Sequence, residues 1–232
     1  MTILTIIIPV YNETNTIVKI IDQILKIKIK KQIIVVDDCS TDGSKEKIIK
    51  NKRKIHKIVF HKKNLGKGAA IRTAQKYIKG KLVIIQDADL EYNPKDYKKL
   101  IKPIIKKKSL AVYGSRVLGK KRYMTNDFTS LMRVFFNHIL TIISNFLNRQ
   151  RLTDAHTCYK VFDSKLFKKI KLNENGFAFC PEVTTKISKL KIDITEIPIS
   201  YKGRTYKQGK KISYYDGVMA IFALIKYKFF DI

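Results

Sequence analysis

Two carboxylates stand close together directly after a short apolar run in the first half of the chain. The run covers residues 82–86, Asp87, Ala88 and Asp89 follow it, and Glu91 lies just beyond. Carboxylate oxygens are the hard ligands that Mg²⁺ or Mn²⁺ prefers, so this segment is a candidate metal site. Aspartate is also a common turn and helix-capping residue, so a turn without a ligand is the alternative interpretation of any single position.

Five runs rich in Val and Ile predict the strands that would position such residues. They cover residues 3–9, 33–37, 57–61, 82–86 and 111–114. Stretches long enough for crossover helices lie between them, at residues 16–28, 44–54, 67–79 and 94–106. Asp42 or Ser44 can cap the second helix, and Pro94 suits the first turn of the fourth. Because the runs are apolar on both faces, they predict an α/β fold, a mostly parallel sheet with helices on both faces.

The second half of the chain does not alternate in this way. It predicts helices at residues 128–147, 181–190 and 214–229 and strands at residues 160–162 and 194–201. No repeat and no low-complexity linker separates the two halves, and 232 residues are enough for one domain with an ample core. We therefore expect a single domain over residues 1–232.

Residues that can do chemistry follow all five predicted strands of the first half. They are Tyr11 and Glu13, then Asp37 and Asp38, then Gly66, Lys67 and Gly68, then Asp87, Asp89 and Glu91, and finally Arg116. The carboxyl ends of parallel strands share one edge of a sheet, which is where ligands bind in open α/β folds. The pattern therefore predicts one binding site at this edge.

Charge is the unusual bulk property of the chain. There are 48 Lys and Arg against 19 Asp and Glu, a formal net charge of +29, while 45% hydrophobic residues exclude a disordered chain. A basic surface attracts nucleic acid, but arginine, the residue that reads base edges, occurs only eight times and no base-reading motif is present. We therefore expect no nucleic-acid partner.

Cysteine usage and the opening residues bear on the compartment. Cys39, Cys158 and Cys180 are far apart and odd in number, which matches neither a disulfide framework nor a metal knuckle. We expect Cys158 and Cys180 to be small buried side chains. The chain opens on a strand-like run without a basic segment or a cleavage site, so we expect a cytoplasmic protein.

Eight motifs give the sequence a family resemblance. They occur in the order IIIPVYNE, VVDDCSTDGS, NLGKGAAIRTA, QDADLEYNP, YGSR, TDAHTCYKVF, GFAFCPEV and EIPISYKGRTYKQGKKI. In this order the sequence resembles the family 2 glycosyltransferases of the Rossmann-like GT-A fold, in the branch of the dolichyl-phosphate mannose synthases and dolichyl-phosphate glucosyltransferases. The resemblance implies a metal-dependent, inverting transfer of a hexose from a nucleoside diphosphate sugar, of the GDP-mannose or UDP-glucose type, to a polyprenyl or dolichyl phosphate.

The resemblance also assigns the donor side of the site, within residues 1–118. Positions that match the nucleotide-sugar site are Pro9, Tyr11, Glu13, Val36, Asp38, Asp87, Ala88, Asp89 and Arg116. Positions that match the ligands of Mg²⁺ or Mn²⁺ are Asp87, Asp89 and Glu91. The NLGKG segment is expected to be a tight loop whose glycines allow close approach near the nucleotide.

Residues 119–232 would face the acceptor. Arg116 matches a phosphate-binding arginine, for the donor diphosphate or the acceptor phosphate, while Arg204 and Lys210 match a basic pair that holds phosphate groups. Asp154 is the candidate general base, although a polyprenyl phosphate is already anionic and needs none. Asp89, Arg116 and Asp154 are thus the expected catalytic residues.

Membrane contact and two other functions stay open. No apolar run reaches the roughly 18 residues of a spanning helix. The helix at 128–147, followed by Arg149 and Arg151, would either pack in the core or lie on an anionic membrane, which would place the protein peripherally at the cytoplasmic face. The alternatives to a lipid-phosphate acceptor are a soluble glycan or protein acceptor, and a non-catalytic basic binding protein.

Overall fold

The computed structural model describes residues 2–119, 128–204 and 214–230, which form one central sheet and its covering helices. The strands are β1 (Leu4–Val10), β2 (Lys31–Asp37), β3 (Lys57–Phe60), β4 (Leu82–Ile85), β5 (Ala111–Ser115), β6 (Lys160–Asp163) and β7 (Ile194–Pro198). The helices are α1 (Ile17–Leu25), α2 (Ser44–Lys50), α3 (Lys67–Gln75), α4 (Tyr97–Ile105), α5 (Phe128–Asn148), α6 (Ser164–Lys169), α7 (Phe179–Lys189) and α8 (Tyr214–Phe229).

The sheet has seven strands in the order β3-β2-β1-β4-β6-β5-β7. β1 pairs in parallel with β2 and β4, β2 with β3, and β5 with β7. β6 lies between β4 and β5 and runs antiparallel to both. The predicted α/β class with a mostly parallel sheet is confirmed, and strands from both halves of the chain share the one sheet.

The core explains why the strands lack polar alternation. Ile6, Ile7 and Ile8 are successive residues of β1, so they point to opposite faces, and all three are fully buried. Burial of each such side chain stabilises the folded state by roughly 2 kcal/mol relative to leaving it exposed. None of the described helices combines the length and the apolar character that a membrane crossing requires.

One helix cap and one additional helix differ from the predictions. The N-cap of α2 is Gly43, with φ at +88°, rather than Asp42 or Ser44. Asp42, the residue before this N-cap, still stabilises the start of the helix, since its Oδ1 accepts the N–H of Ser44 at 3.0 Å. The helix α6 was not predicted, although Asp163 is a regular N-cap that accepts the N–H groups of Lys165 and Leu166.

The NLGKG glycines allow a close approach, but to protein backbone. A β-carbon on Gly66 would lie 2.5 Å from the carbonyl oxygen of Asn175, and one on Gly68 would overlap the carbonyl of Glu174. The N–H of Ala69 also donates to the Asn175 carbonyl at 3.0 Å. In the structure these glycines let the start of α3 pack on the segment before α7, and the expected closeness of the loop to the nucleotide stays a prediction.

We expect a Gly68→Ala chain to be destabilised by about 2 kcal/mol, because overpacking a filled site costs roughly 1–3 kcal/mol and outweighs the gain of up to about 1 kcal/mol in helix propensity. Gly176→Ala is the control, since nothing lies within 4 Å of a β-carbon there. Urea unfolding of the two variants measures the difference. Equal stabilities would show that the Gly68 contact relaxes without cost.

Candidate active site

Arg204 brings together carboxylates that follow two different strands. Its Nη1 and Nη2 donate to the Oε2 and Oε1 of Glu13 at 3.1 and 2.9 Å. Nη2 also lies 3.4 Å from Oδ2 of Asp89, and the backbone N–H of Arg204 donates to Oε1 of Glu91 at 2.7 Å. Glu13 follows β1, whereas Asp89 and Glu91 follow β4, so the structure assembles these predicted site residues around one guanidinium.

Asp87, Asp89 and Glu91 form an acidic turn over residues 87–91, and Asp89 is its middle carboxylate. Burial, followed by the charges of Asp87 and Glu91, raises the pKa of Asp89 to about 7. Its Oδ1 accepts the N–H of Glu91 at 3.0 Å across Leu90, whose φ of +64° is unusual for a leucine. A strained turn that concentrates negative charge is a feature of functional sites.

Asp87 is paired with Lys67, a residue to which the sequence patterns assigned no role. The two side chains form an ion pair and are only 15% and 19% exposed. Burial acts to lower the pKa of Lys67, but the charge of Asp87 outweighs it and raises that pKa well above its ordinary value. The lysine between the two glycines of NLGKG was the available signal, because it follows a strand at the same edge of the sheet.

Hydrogen bonds of Glu91 connect the acidic turn to residues 201–204. Its Oε2 accepts the hydroxyl of Tyr201 at 2.7 Å, while its backbone carbonyl accepts the N–H of Lys202 at 2.9 Å. Both carboxylate oxygens are therefore engaged by residues 201–204. Lys210, the other basic residue predicted here, lies outside the described residues.

Asp87, Asp89 and Glu91 have the chemistry of a site for a divalent cation. They are hard oxygen donors from a single turn, and burial together with the charges of Asp87 and Glu91 raises the pKa of Asp89, so a cation here would stabilise its ionised form. Within the described ranges, no three His, Cys, Asp or Glu side chains converge as a metal site. Carboxylate oxygens are the ligands that Mg²⁺ or Mn²⁺ prefers, so these residues fit such an ion in kind. Their assignment as ligands remains a prediction.

Arg116 and Asp154 form a two-pronged ion pair. Nε and Nη2 of Arg116 donate to Oδ2 and Oδ1 of Asp154 at 2.7 and 2.8 Å, and the backbone N–H of Arg116 donates to Oδ2 at 3.0 Å. Burial acts to raise the pKa of Asp154, but the neighbouring guanidinium outweighs it and lowers that pKa. An acid that holds its charge this firmly is a weak proton acceptor, so the geometry suits a residue that orients Arg116 better than a general base.

A group of buried or half-buried tyrosines links Arg116 to Glu91. The ring centres of Tyr92 and Tyr159 are 4.7 Å apart, and those of Tyr92 and Tyr201 are 5.1 Å apart. The guanidinium carbon of Arg116 lies 5.2 Å from the ring centre of Tyr201. Tyr201 therefore contacts Arg116 with its ring and Glu91 with its hydroxyl, a link that no motif predicted.

The remaining predicted nucleotide residues differ in exposure. Tyr11 is 37% exposed, whereas Val36 and Ala88 are buried in the core. Asp38 is also buried, and its oxygens accept the N–H groups of Leu65 and Gly66 at 2.9 and 2.6 Å. In this structure Asp38 therefore fixes the NLGKG loop, and Tyr11 is the ring that the site presents to solvent.

A basic residue deep in the core supports the segment that carries Asp154. Lys160 is fully buried, and its Nζ donates to the carbonyl of Ala155 at 2.8 Å and lies 3.5 Å from the ring centre of Tyr113. Burial lowers the pKa of Lys160 to about 8. Cys158 and Cys180 are buried as predicted.

The sheet order and the acidic turn at its carboxyl edge define a class, the glycosyltransferases of the GT-A fold. The structure is similar to that of glucosyl-3-phosphoglycerate synthase from Mycobacterium tuberculosis in complex with Mg²⁺ and uridine diphosphate, with a TM-score of 0.71. That match covers 97% of this chain and 79% of the other at 17% sequence identity, so it shows the fold alone.

The chain belongs to the glycosyl transferase family 2, whose model matches residues 5–171. It is 28% identical over 218 residues to the dolichyl-phosphate beta-glucosyltransferase ALG5A of Trichomonas vaginalis, covering 85% of this chain and 65% of that protein. It is also 28% identical to the dolichyl-phosphate beta-glucosyltransferase of Saccharomyces cerevisiae, covering 85% and 66%. The chain thus spans about two thirds of the length of these relatives. The predicted resemblance is confirmed, and the chain carries a glycosyltransferase domain of this family.

Proposed function

We propose that this glycosyltransferase moves a hexose from a nucleoside diphosphate sugar to a polyprenyl phosphate, with inversion and with a divalent cation. The observation that carries the proposal is the meeting of Glu13, Asp89 and Glu91 around Arg204, with the Arg116–Asp154 pair beside them. Such an edge offers negative charge for a metal and positive charge for phosphate. The relatives named for dolichyl phosphate support the acceptor class.

On the donor side, Asp87, Asp89 and Glu91 would hold Mg²⁺ or Mn²⁺. When bound, the cation supplies charge neutralisation to the departing diphosphate. Arg116 adds a guanidinium that matches phosphate oxygens in pairs, and because Asp154 already holds it, little reorganisation is needed as negative charge develops. Tyr11 packs against the base, and Glu13 accepts hydrogen bonds from the nucleoside.

On the acceptor side, a phosphate oxygen attacks the anomeric carbon while the bond from that carbon to the diphosphate oxygen breaks. The oxygen carries no proton to remove, so no base is needed and Asp154 acts by holding Arg116. Arg204 and Lys210 bind the acceptor phosphate, for which Arg204 exchanges its present carboxylate partners. Orientation of two anions is then the main work of the protein.

A membrane surface is the proposed location of this acceptor. Helix α8 exposes one stripe of large apolar side chains at spacings of three and four residues, which a helix places on one face. They are Tyr215, Val218, Phe222, Ile225 and Phe229. On α5, the helix that the sequence patterns had singled out and that packs against α8, Phe146 is 83% exposed. A net charge of +29 repels a second copy and attracts anionic lipid, so the proposed occupant is a bilayer.

Substitution of Phe222 by Ser is expected to lower several-fold the fraction of protein that floats with phosphatidylglycerol-containing vesicles. The reason is the loss of apolar area that inserts at the interface. Ile49→Ser is the control, since Ile49 is an exposed apolar residue of another helix, α2. Equal flotation of the two variants would contradict the assignment of this face.

A transfer assay tests the proposed function. Purified protein is incubated with Mn²⁺ or Mg²⁺, a polyprenyl phosphate and labelled GDP-mannose, UDP-glucose or UDP-N-acetylglucosamine, and label in the organic phase is counted. Metal-dependent extractable label from one donor is the expected result. Donor binding without extractable label would favour a soluble glycan or protein acceptor, and neither binding nor transfer would favour a non-catalytic protein.

A further inference from the structure

Glu196, in the middle of β7, holds the segment that carries Asp154. Its Oε2 accepts the backbone N–H of Thr153 at 2.6 Å and the hydroxyl of Thr153 at 2.8 Å. Its Oε1 accepts the N–H of Asp154 at 2.9 Å. A half-buried carboxylate that receives three such bonds from two consecutive residues is a firm anchor, since each bond is charge-assisted.

One route leads from this anchor to Arg116 through Asp154. The backbone of Asp154 is bonded to Glu196, while its side chain receives Nε and Nη2 of Arg116 at 2.7 and 2.8 Å. The orientation of the Asp154 carboxylate therefore depends on where Glu196 holds the main chain. Asp154 occupies two of the five guanidinium N–H groups, and the other three are not engaged by it.

A second route runs through Ser115, the residue before Arg116. The only hydroxyl proton of Thr153 goes to Glu196, so in the 2.7 Å contact between the two hydroxyls Ser115 donates to Thr153. The Ser115 oxygen in turn accepts the N–H of Leu118 at 3.0 Å. The turn that carries Arg116 after β5 is thus fixed to β7 through a directed chain of hydrogen bonds.

We propose that Glu196 is a positioning residue that sets the orientation of Arg116 through Thr153 and Asp154. The inference rests on the proposed function, in which Arg116 binds a phosphate group. Glu196 lies on the strand paired in parallel with the one that leads to Arg116, and its partner on β5 is Tyr113, three residues before Arg116. It touches neither donor nor acceptor in this scheme, so its effect on transfer passes entirely through Arg116.

Glu196→Gln is the decisive variant, because the amide keeps the size of the side chain but replaces one acceptor oxygen by a donor that faces an N–H group. We expect kcat/KM to fall by about tenfold or more, since a small misplacement of a binding group is costly. In an Arg116→Lys background the same change should cost less than about twofold, because lysine lacks the fork that Glu196 positions. Asp193→Asn, an equal charge change at an exposed position just before β7, should leave kcat/KM unchanged.

Each other outcome decides against the inference or against its premise. An equal loss from Glu196→Gln in both backgrounds would show a merely structural role, and an equal loss from Asp193→Asn would show a general charge effect. If Glu196→Gln does not fold, Thr153→Val, which removes only the bridging hydroxyl, should lower kcat/KM several-fold in the wild-type background and not in Arg116→Lys. A wild-type chain with donor binding but no transfer to any acceptor overturns the proposed function instead.

Discussion

Substitution of Asp89 by Asn is expected to lower kcat for hexose transfer by roughly a thousandfold while the protein remains folded. Removal of one electrostatic contributor at a reacting diphosphate costs on the order of a hundredfold to a thousandfold, and a lost metal ligand adds to this. The fold is expected to survive because burial and the charges of Asp87 and Glu91 raise the pKa of Asp89 to about 7. Without a cation, burial and the neighbouring charges disfavour the ionised carboxylate, so a neutral amide is tolerated here, and Asn can still accept the N–H of Glu91.

Steady-state transfer, circular dichroism and Mn²⁺ binding by electron paramagnetic resonance together check this result. Asp22→Asn is the matched control, because Asp22 forms a surface ion pair with Lys54 and carries the same charge. Weakened Mn²⁺ binding with native circular dichroism would support the assigned ligand. Unchanged transfer with ordinary metal dependence in Asp89→Asn would remove Asp89 from the site.

Arg116→Lys is the second variant with a large expected effect, a fall of about a hundredfold in kcat/KM. Lysine keeps the positive charge that the buried carboxylate of Asp154 requires, and loss of that charge would cost roughly 3–5 kcal/mol of stability. It cannot reproduce the two-pronged contact of Nε and Nη2 with Asp154, nor can it offer paired donors to a phosphate. Geometry rather than charge is therefore what this substitution removes.

Arg53→Lys is its control, since Arg53 is exposed in the turn after α2. The KM values for donor and acceptor, measured separately, show which phosphate Arg116 binds, because only the corresponding KM is expected to rise. Wild-type kinetics in Arg116→Lys would mean that this position needs no more than a point charge, and the proposed role of Asp154 would fall with it.

Local patterns were enough to predict most elements of the fold and the residues of the acidic turn. The first-half strands could be predicted because their Val and Ile runs are buried on both faces, and Asp87 and Asp89 because they follow such a run. The direction of β6 could not be predicted, since a strand of four residues has the same composition in either direction. Its place between β4 and β5 depends on contacts far apart in the chain.

The partners of the predicted residues were also beyond sequence patterns. Arg116 and Asp154 were each identified, but their pairing joins positions 38 residues apart. Glu196 was missed because a single glutamate within a strand has no periodicity to mark it. Lys67 was placed at the edge of the sheet, but its pairing with Asp87 could not be predicted. Their roles arise only when α3 and β7 are packed against the strands that carry Asp87 and Arg116.

The antiparallel strand β6 sets the width of the candidate active site. Because it is inserted between β4 and β5, the chain ends of these two strands lie two hydrogen-bonded spacings apart, a span of roughly 10 Å. Asp87 follows one of them and Arg116 the other, so their separation is built into the backbone of the sheet. Substitutions in the surrounding loops can therefore alter which sugar or nucleotide is accepted while the distance between the acidic turn and the guanidinium stays the same. Insertions that add a register shift in β6 would change that distance directly.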